Sequence, residues 1–197
     1  MQNFYYSYQF VSRNKDNECV EFFEPRHRSG IICLHTTHPV PTWGEFIEVM
    51  SDPTTNLAKE FAQFTSDGED GEVSRLYVNI NCCTHAALNK ALMKSLIDDE
   101  VANLRHIDSK LASLAATAPR ATRRWLLDCD CSRDETHEVA DELKQMSVPD
   151  VRIYRTLNNF AIVCGRGFDS RELIKRHPKV ELKRDSAALL ISHAMKR

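Results

Sequence analysis

The stretch Trp125-Leu126-Leu127-Asp128-Cys129-Asp130-Cys131-Ser132 holds the residues of this chain best placed to do chemistry. On a strand, residues i and i+2 point to the same side and lie about 6.5 Å apart along the chain. Asp128 and Asp130 would then present two carboxylates to one side, and Cys129 and Cys131 two thiols to the other. Paired carboxylates are hard oxygen ligands for Mg2+ or Mn2+. Sites of that kind stabilise both the attacking and the leaving oxygens in phosphoryl or nucleotidyl transfer.

Other readings compete for the same residues. Cys82, Cys83, His85, Cys129, Cys131 and His137 make a zinc set on paper, but Cys-Cys and Cys-x-Cys are not the Cys-x₂-Cys spacing of common structural sites. The odd count of seven cysteines suggests no disulfide framework, and reduced thiols are expected. The alternation of Cys129 and Cys131 also suits two small hydrophobes on the inward side of a strand. Asp128-x-Asp130-x-Ser132 resembles the nucleophile motif of haloacid-dehalogenase-like phosphatases, although no Asp-Asp pair follows it. Asp130 can also simply favour the positive end of the next helix.

Basic residues surround the motif. Arg120, Arg123 and Arg124 precede it, and Arg152, Arg155, Arg166, Arg171, Lys183 and Arg184 follow. Arginine suits bidentate phosphate recognition, and solvated surface charge is the plainer alternative for each. His35-Thr36-Thr37-His38 invites a two-histidine phosphoesterase reading, but the second unit, His38-Pro39-Val40, lacks the hydroxyl. Packing at a helix entry is the simpler role. Cys33 reads as a buried strand thiol, and Tyr5, Tyr6 and Tyr8 as a half-buried strand rather than a base-stacking platform.

The elements that must position these groups follow from periodicity. Residues 4–11 and 18–23 read as strands joined by a polar turn at 13–17, with a third strand at 31–34. Thr42 opens a helix bearing Trp43, Phe46, Ile47 and Met50, and a second begins after Pro53 with Leu57, Phe61 and Phe64. The acidic, glycine-containing loop 66–72 is the best internal boundary, giving an N-terminal α/β extension over 1–72 and an α+β core over 73–197. The core begins with a strand at 73–80. A helix capped by Thr84 follows, and another carries Val101, Leu104, Leu111 and Leu114.

Over about 124–185 the order becomes strand 125–129, helix after the capping box Ser132-x-x-Glu135, strand 151–156, a turn at Asn158-Asn159, strand 160–164, short helix from Ser170, and strand 180–184. That is a β-α-β-β-α-β unit of ferredoxin-like or RNA-recognition type, so the fold class is α+β. In such a sheet the last strand runs antiparallel to the first. Asp185 would therefore lie at the end away from Asp128 and Asp130, with Glu181 nearer to them.

An Asp-x-Asp on the first strand of this unit, with basic residues around it, is the arrangement of a polymerase palm. More closely, the chain resembles the archaeo-eukaryotic primase superfamily in the compact form carried by phages and mobile elements. Trp125-Leu126-Leu127-Asp128-Cys129-Asp130 is similar to that family's metal-binding motif. Arg155-Thr156-Leu157-Asn158-Asn159-Phe160-Ala161-Ile162-Val163 resembles its strand-turn-strand, with Asn159-Phe160-Ala161 where the family has Gly-x-His. Val180-Glu181-Leu182-Lys183-Arg184-Asp185 resembles a later strand ending near a third acid. The resemblance covers about residues 75–192.

It implies Asp128, Asp130 and Asp185 as catalytic acids, Mg2+ or Mn2+ on Asp128 and Asp130, and a nucleoside triphosphate or nucleic acid gripped by Arg123, Arg124, Arg155, Lys183 and Arg184. The reaction would be nucleotidyl transfer. A relative that has lost the reaction and binds nucleic acid or a host protein, and a metal-dependent phosphohydrolase, are the alternatives.

Composition bounds these expectations. A formal net charge of −2 excludes adhesion to nucleic acid by bulk charge, so any such role needs a local basic patch. Hydrophobic residues at 42% supply a core. No leader-like opening and no apolar run of membrane length is visible, and a soluble, cytoplasmic protein, in the host cytoplasm if phage-encoded, is expected.

Overall fold

Phe4, Tyr6, Tyr8 and Phe10 alternate along the first strand and are all buried, which makes them one face of a sheet. The computed structural model describes residues 2–13, 24–52, 55–98, 104–156 and 159–194. The strand expected at 18–23, the turn at 13–17 apart from Arg13, Val101, and Asn158 of the 158–159 turn lie outside the described residues.

Strand β1 (Gln2–Ser12) pairs antiparallel with β2 (Arg26–Thr36) on one side and β3 (Val73–Asn79) on the other. The two-residue β4 (Cys83–Thr84) adds to the start of β1, and β9 (Ala187–Ala194) closes the far side of β3. The path of this first sheet is β2-β1-β3-β9. Loop 66–72 thus precedes a strand that pairs directly with β1, and the strand 180–184 is followed by β9, which the sequence pattern does not reveal.

Helix α1 (Trp43–Ser51) is fixed by a capping box between Thr42 and Glu45, and α2 (Asn56–Ser66) is capped by Thr55. Trp43, Phe46, Met50, Leu57, Phe61 and Phe64 pack from these helices onto the aromatic face of β1. Helices α3 (His85–Asp98) and α4 (Ile107–Thr117) form a smaller core with Cys83, Tyr5 and Ile31. Thr84 caps α3 as its position suggests, accepting from the Ala87 N–H at 3.2 Å.

The second sheet is built from β5 (Arg124–Cys129), β6 (Arg152–Arg155), β7 (Phe160–Gly165) and β8 (Val180–Arg184) in the order β6-β7-β5-β8. Every pairing is antiparallel. Helices α5 (Arg133–Gln145) and α6 (Arg171–Arg176) complete a β-α-β-β-α-β succession. The protein is therefore α+β, with a unit over 124–184 of ferredoxin-like type.

Alternation along β5 divides the chemistry of the opening motif. Leu127 and Cys129 join Val139, Leu143 and Ile162 in the core beneath α5 and α6. Leu126, with Ala161 and Val163, belongs instead to the core shared with the first sheet. Among the described residues no helix is long and apolar enough to cross a membrane.

Candidate functional site

Asp128 and Asp130 lie on the opposite side of β5 from Cys129, where a cavity of about 360 Å³ opens between the second sheet and strands β3 and β9 of the first. Both line it. Arg75 and Tyr77 contribute from β3, Tyr154 and Thr156 from the β6 side, Lys183 from β8, and Ser186, Ala187 and Leu189 from the segment returning to the first sheet. Volumes of this order suit a small-molecule ligand.

Strand register explains the grouping. Asp128 stands opposite Glu181, and Leu126 opposite Lys183, across the β5–β8 pairing. Residues directly opposite on paired strands put their side chains on one face, so Asp128, Glu181 and Lys183 converge. The Lys183 ammonium donates to Asp128 Oδ2 at 2.5 Å and lies 3.3 Å from Glu181 Oε2. The bond to Asp128 raises the Lys183 pKa and the neighbouring carboxylate of Glu181 adds to it, so the ammonium stays charged at neutral pH. Beyond the end of β5, Asn159 Nδ2 donates to Asp130 Oδ1 at 2.7 Å.

Tyr154 completes the wall. Its hydroxyl is buried and has no hydrogen-bond partner among the described residues. Burial raises its pKa, and the charge of Asp128 pushes the same way. A buried hydroxyl is ordinarily satisfied by protein or by ordered water.

The structure separates residues that the sequence reading groups. Asp185 follows β8 at the opposite end of β5 from Asp128. There Asn81 Nδ2 donates to its carboxylate at 3.0 Å, and Arg120 Nε lies 3.9 Å away. Asp185 does not join Asp128 and Asp130; antiparallel pairing puts Glu181 beside Asp128 instead. Arg123, Arg124 and Arg184 lie at the same far end as Asp185, around a second cavity. Arg124 is no phosphate ligand in this arrangement. It is 5% exposed, and its guanidinium donates to Tyr6 Oη and Ile80 O, to Pro41 O, and to Asp150. Of the four arginines expected to grip phosphate, only Arg155 lies near the carboxylates, in a recess sharing Thr156 and Leu189 with their cavity.

The thiols are packing groups. Burial pushes Cys129 up to about 12, Cys164 to about 12 and Cys83 to about 11, which keeps all three protonated. Cys129 and Cys164 share the core beneath α5 and α6 while Cys83 lies in the one under α3 and α4, and among the described residues no group of three His, Cys, Asp or Glu is placed to hold a metal ion. Ser132 accepts from the Glu135 N–H as the cap of α5, a structural role. His38 pairs with Glu45 at the entry of α1, and His35 with Asn3 across β1–β2, so the two do not form one site. Tyr6 and Tyr8 are core residues.

Arg75, Tyr77 and Tyr154 are lining residues that the motifs do not announce. They come from strands whose alternation shows a face but not what it faces. Comparison with known proteins returns no matching family model, no matching curated protein and no matching solved structure.

Proposed function

We propose that the cavity at Asp128 and Asp130 is a nucleotide-phosphate site of the primase-superfamily type, acting in cation-dependent nucleotidyl transfer. The observation that carries this reading is the ammonium of Lys183 set between the carboxylates of Asp128 and Glu181 inside a cavity of ligand size. Two acids on neighbouring strands would repel each other without a cation, and a phosphate would be repelled by both. The donor set is of the hard oxygen kind that Mg2+ or Mn2+ takes, and Lys183 is the stand-in cation of this arrangement.

Asp128 and Asp130 would hold the ion as a two-carboxylate set, and Glu181, not Asp185, is the acid that register sets beside Asp128. When bound, the ion would supply charge neutralisation for a triphosphate and its leaving group. The chain's own residues would do the rest. Lys183, released from Asp128, would reach the phosphates as a point charge. Asn159 would hold Asp130 in orientation where the family has a histidine motif.

The test is Mn2+ binding by calorimetry, followed by nucleotide incorporation on a primed template, for the wild type and for Asp128→Ala with Asp130→Ala. Binding and incorporation that both vanish in the double variant support the reading. A wild type that neither binds Mn2+ nor extends a primer sinks it.

A second reading, a binding module without the reaction, is favoured by a separate observation. Both acids already have partners within the chain, Asp128 in Lys183 and Asp130 in Asn159. Ligand binding without incorporation is its signature.

A further inference from the structure

The far end of β5 carries a second cavity, of about 430 Å³, with Arg120, Arg123, Arg124, Arg166 and Arg184 in its lining and Asp185 as its one acid. Arg124 is neutralised internally by Asp150, 3.3 Å away, and Arg120 is half-committed to Asp185 and to the Ala115 carbonyl. Arg123, Arg166 and Arg184 are exposed, and among the described residues none of the three makes an ion pair. Three uncompensated guanidiniums around one cavity repel one another. They stand in a chain whose net charge is −2, so this is a local concentration of positive charge and not a general property of the surface.

The arrangement is built, not incidental. Arg123 and Arg166 are tied at the backbone, where the Arg166 N–H donates to the Arg123 carbonyl at 3.3 Å. Arg184 stands opposite Trp125 across β5–β8 and lies over its indole face, 5.2 Å from the ring centre. Trp125 is itself packed on Phe168 at 5.0 Å, which fixes the platform on which Arg184 lies. Asn81, 1% exposed, binds the Arg124 backbone and the Asp185 carboxylate together, and so holds the cavity's edges at fixed separation.

We propose that this arginine-lined cavity binds the phosphodiester backbone of a single-stranded nucleic acid. Guanidiniums recognise phosphate oxygens through paired N–H donors. Cations from three chain segments spread across one opening suit successive phosphates along a strand better than one small anion. The site lies about 13 Å along β5 from Asp128, four residues at the rise of a strand. It is therefore separate from the carboxylate cavity, and its standing does not depend on metal binding there.

Fluorescence anisotropy of a labelled oligothymidylate, at low salt and in EDTA so that no divalent cation serves the carboxylate cavity, tests the proposal. The wild type is expected to bind with an affinity that falls with salt. Arg123→Ala with Arg166→Ala should weaken binding by about tenfold or more. The same double variant should lower the log–log salt slope by about 1.4, because each phosphate neutralised on a single strand contributes ~0.7. Arg123→Lys with Arg166→Lys should keep most of the slope. Arg184→Glu, outside the Arg123–Arg166 pair, should also weaken binding by about tenfold or more. Thermal melting of each variant separates lost binding from lost fold. Wild-type protein that does not bind in EDTA, or alanine variants that bind as tightly as wild type, would overturn the proposal. So would pyrophosphate competing at concentrations as low as the oligonucleotide, which would make this a small-anion site.

Discussion

Asn81 pairs with Arg124 much as a neighbouring strand would: its Oδ1 accepts from the Arg124 N–H at 2.6 Å, and its Nδ2 donates to the Arg124 carbonyl at 3.1 Å. One buried side-chain amide thus fastens the start of the second sheet to the segment leaving the first. The Arg124 side chain runs on from that point into the core around Tyr6 and Trp43, where Asp150 also accepts from the Trp43 N–H at 2.8 Å.

Arg124→Met should therefore destabilise the fold by about 3–5 kcal/mol, because removing one partner of a buried pair leaves the other charge uncompensated. Urea denaturation measures it. A loss under about 1 kcal/mol, the scale of an exposed pair, would mean that Asp150 finds solvent and that Arg124 is not an internal anchor.

Lys183→Met should act with opposite signs on two ligands. Removing the ammonium from between Asp128 and Glu181 should tighten Mn2+ binding by about tenfold, or about 1.4 kcal/mol. Nucleotide affinity should fall, since the phosphates lose a point charge. Titration calorimetry with each ligand checks both signs, and equal weakening of both would refute the place given to Lys183.

Glu45 supplies a pH signature for the N-terminal helices. The Thr42 N–H, with help from His38 and Thr36, holds its carboxyl down to about 2. Its folded pKa lies below the ordinary carboxyl value, so its stabilisation is complete above about pH 4.3 and is lost as pH falls toward 2. Glu45→Gln should cost about 1 kcal/mol at neutral pH, the scale of a lost helix cap. The gap to wild type should close in acid, as followed by thermal melting across that range.

Cys129 should be silent toward thiol reagents in the native protein at pH 8, because its thiol titrates near 12 and its side chain is fully buried. It should react once the chain is unfolded in urea. Mass spectrometry of alkylated peptides reads the outcome, and native labelling of Cys129 would contradict its place beneath α5.

How legible this was from the sequence depends on range. The 124–184 unit could be read because its signals are local: the capping box at Ser132 and Glu135, the period-2 alternation of Leu127 and Cys129, and a short turn near Asn159. The separation of Asp185 from Asp128 also follows from antiparallel geometry, and Glu181 is the acid that register sets beside Asp128. Resemblance alone favours Asp185. The two environments of the arginines were not legible. Arg123 and Arg124 are adjacent in sequence, yet one is exposed and the other 5% exposed, because strand alternation sends them to different surroundings. What Arg124 meets there, from Pro41 to Asp150, is fixed by interactions that no local pattern encodes.

Strand β9 also carries a consequence for how the chain assembles. It pairs Ala187 with Asn79 of β3, so the whole β-α-β-β-α-β unit is nested as an insertion between two adjacent strands of the first sheet. A short loop joining Arg123 to Asp185 would, on this topology, leave the outer sheet, with β4 and helices α3 and α4, connected in its present order. The excised insert would then expose Leu126, Ala161 and Val163, which complete the outer sheet's core. In the intact chain the β3–β9 pairing spans the entire insert. Loop-closure entropy makes such a pairing a late event unless the insert folds first and brings its ends together. The Trp125–Arg184 pairing does that, placing the entrance and exit of the insert side by side. The outer sheet is thus a lock whose last strand is delivered by the folding of the unit within it.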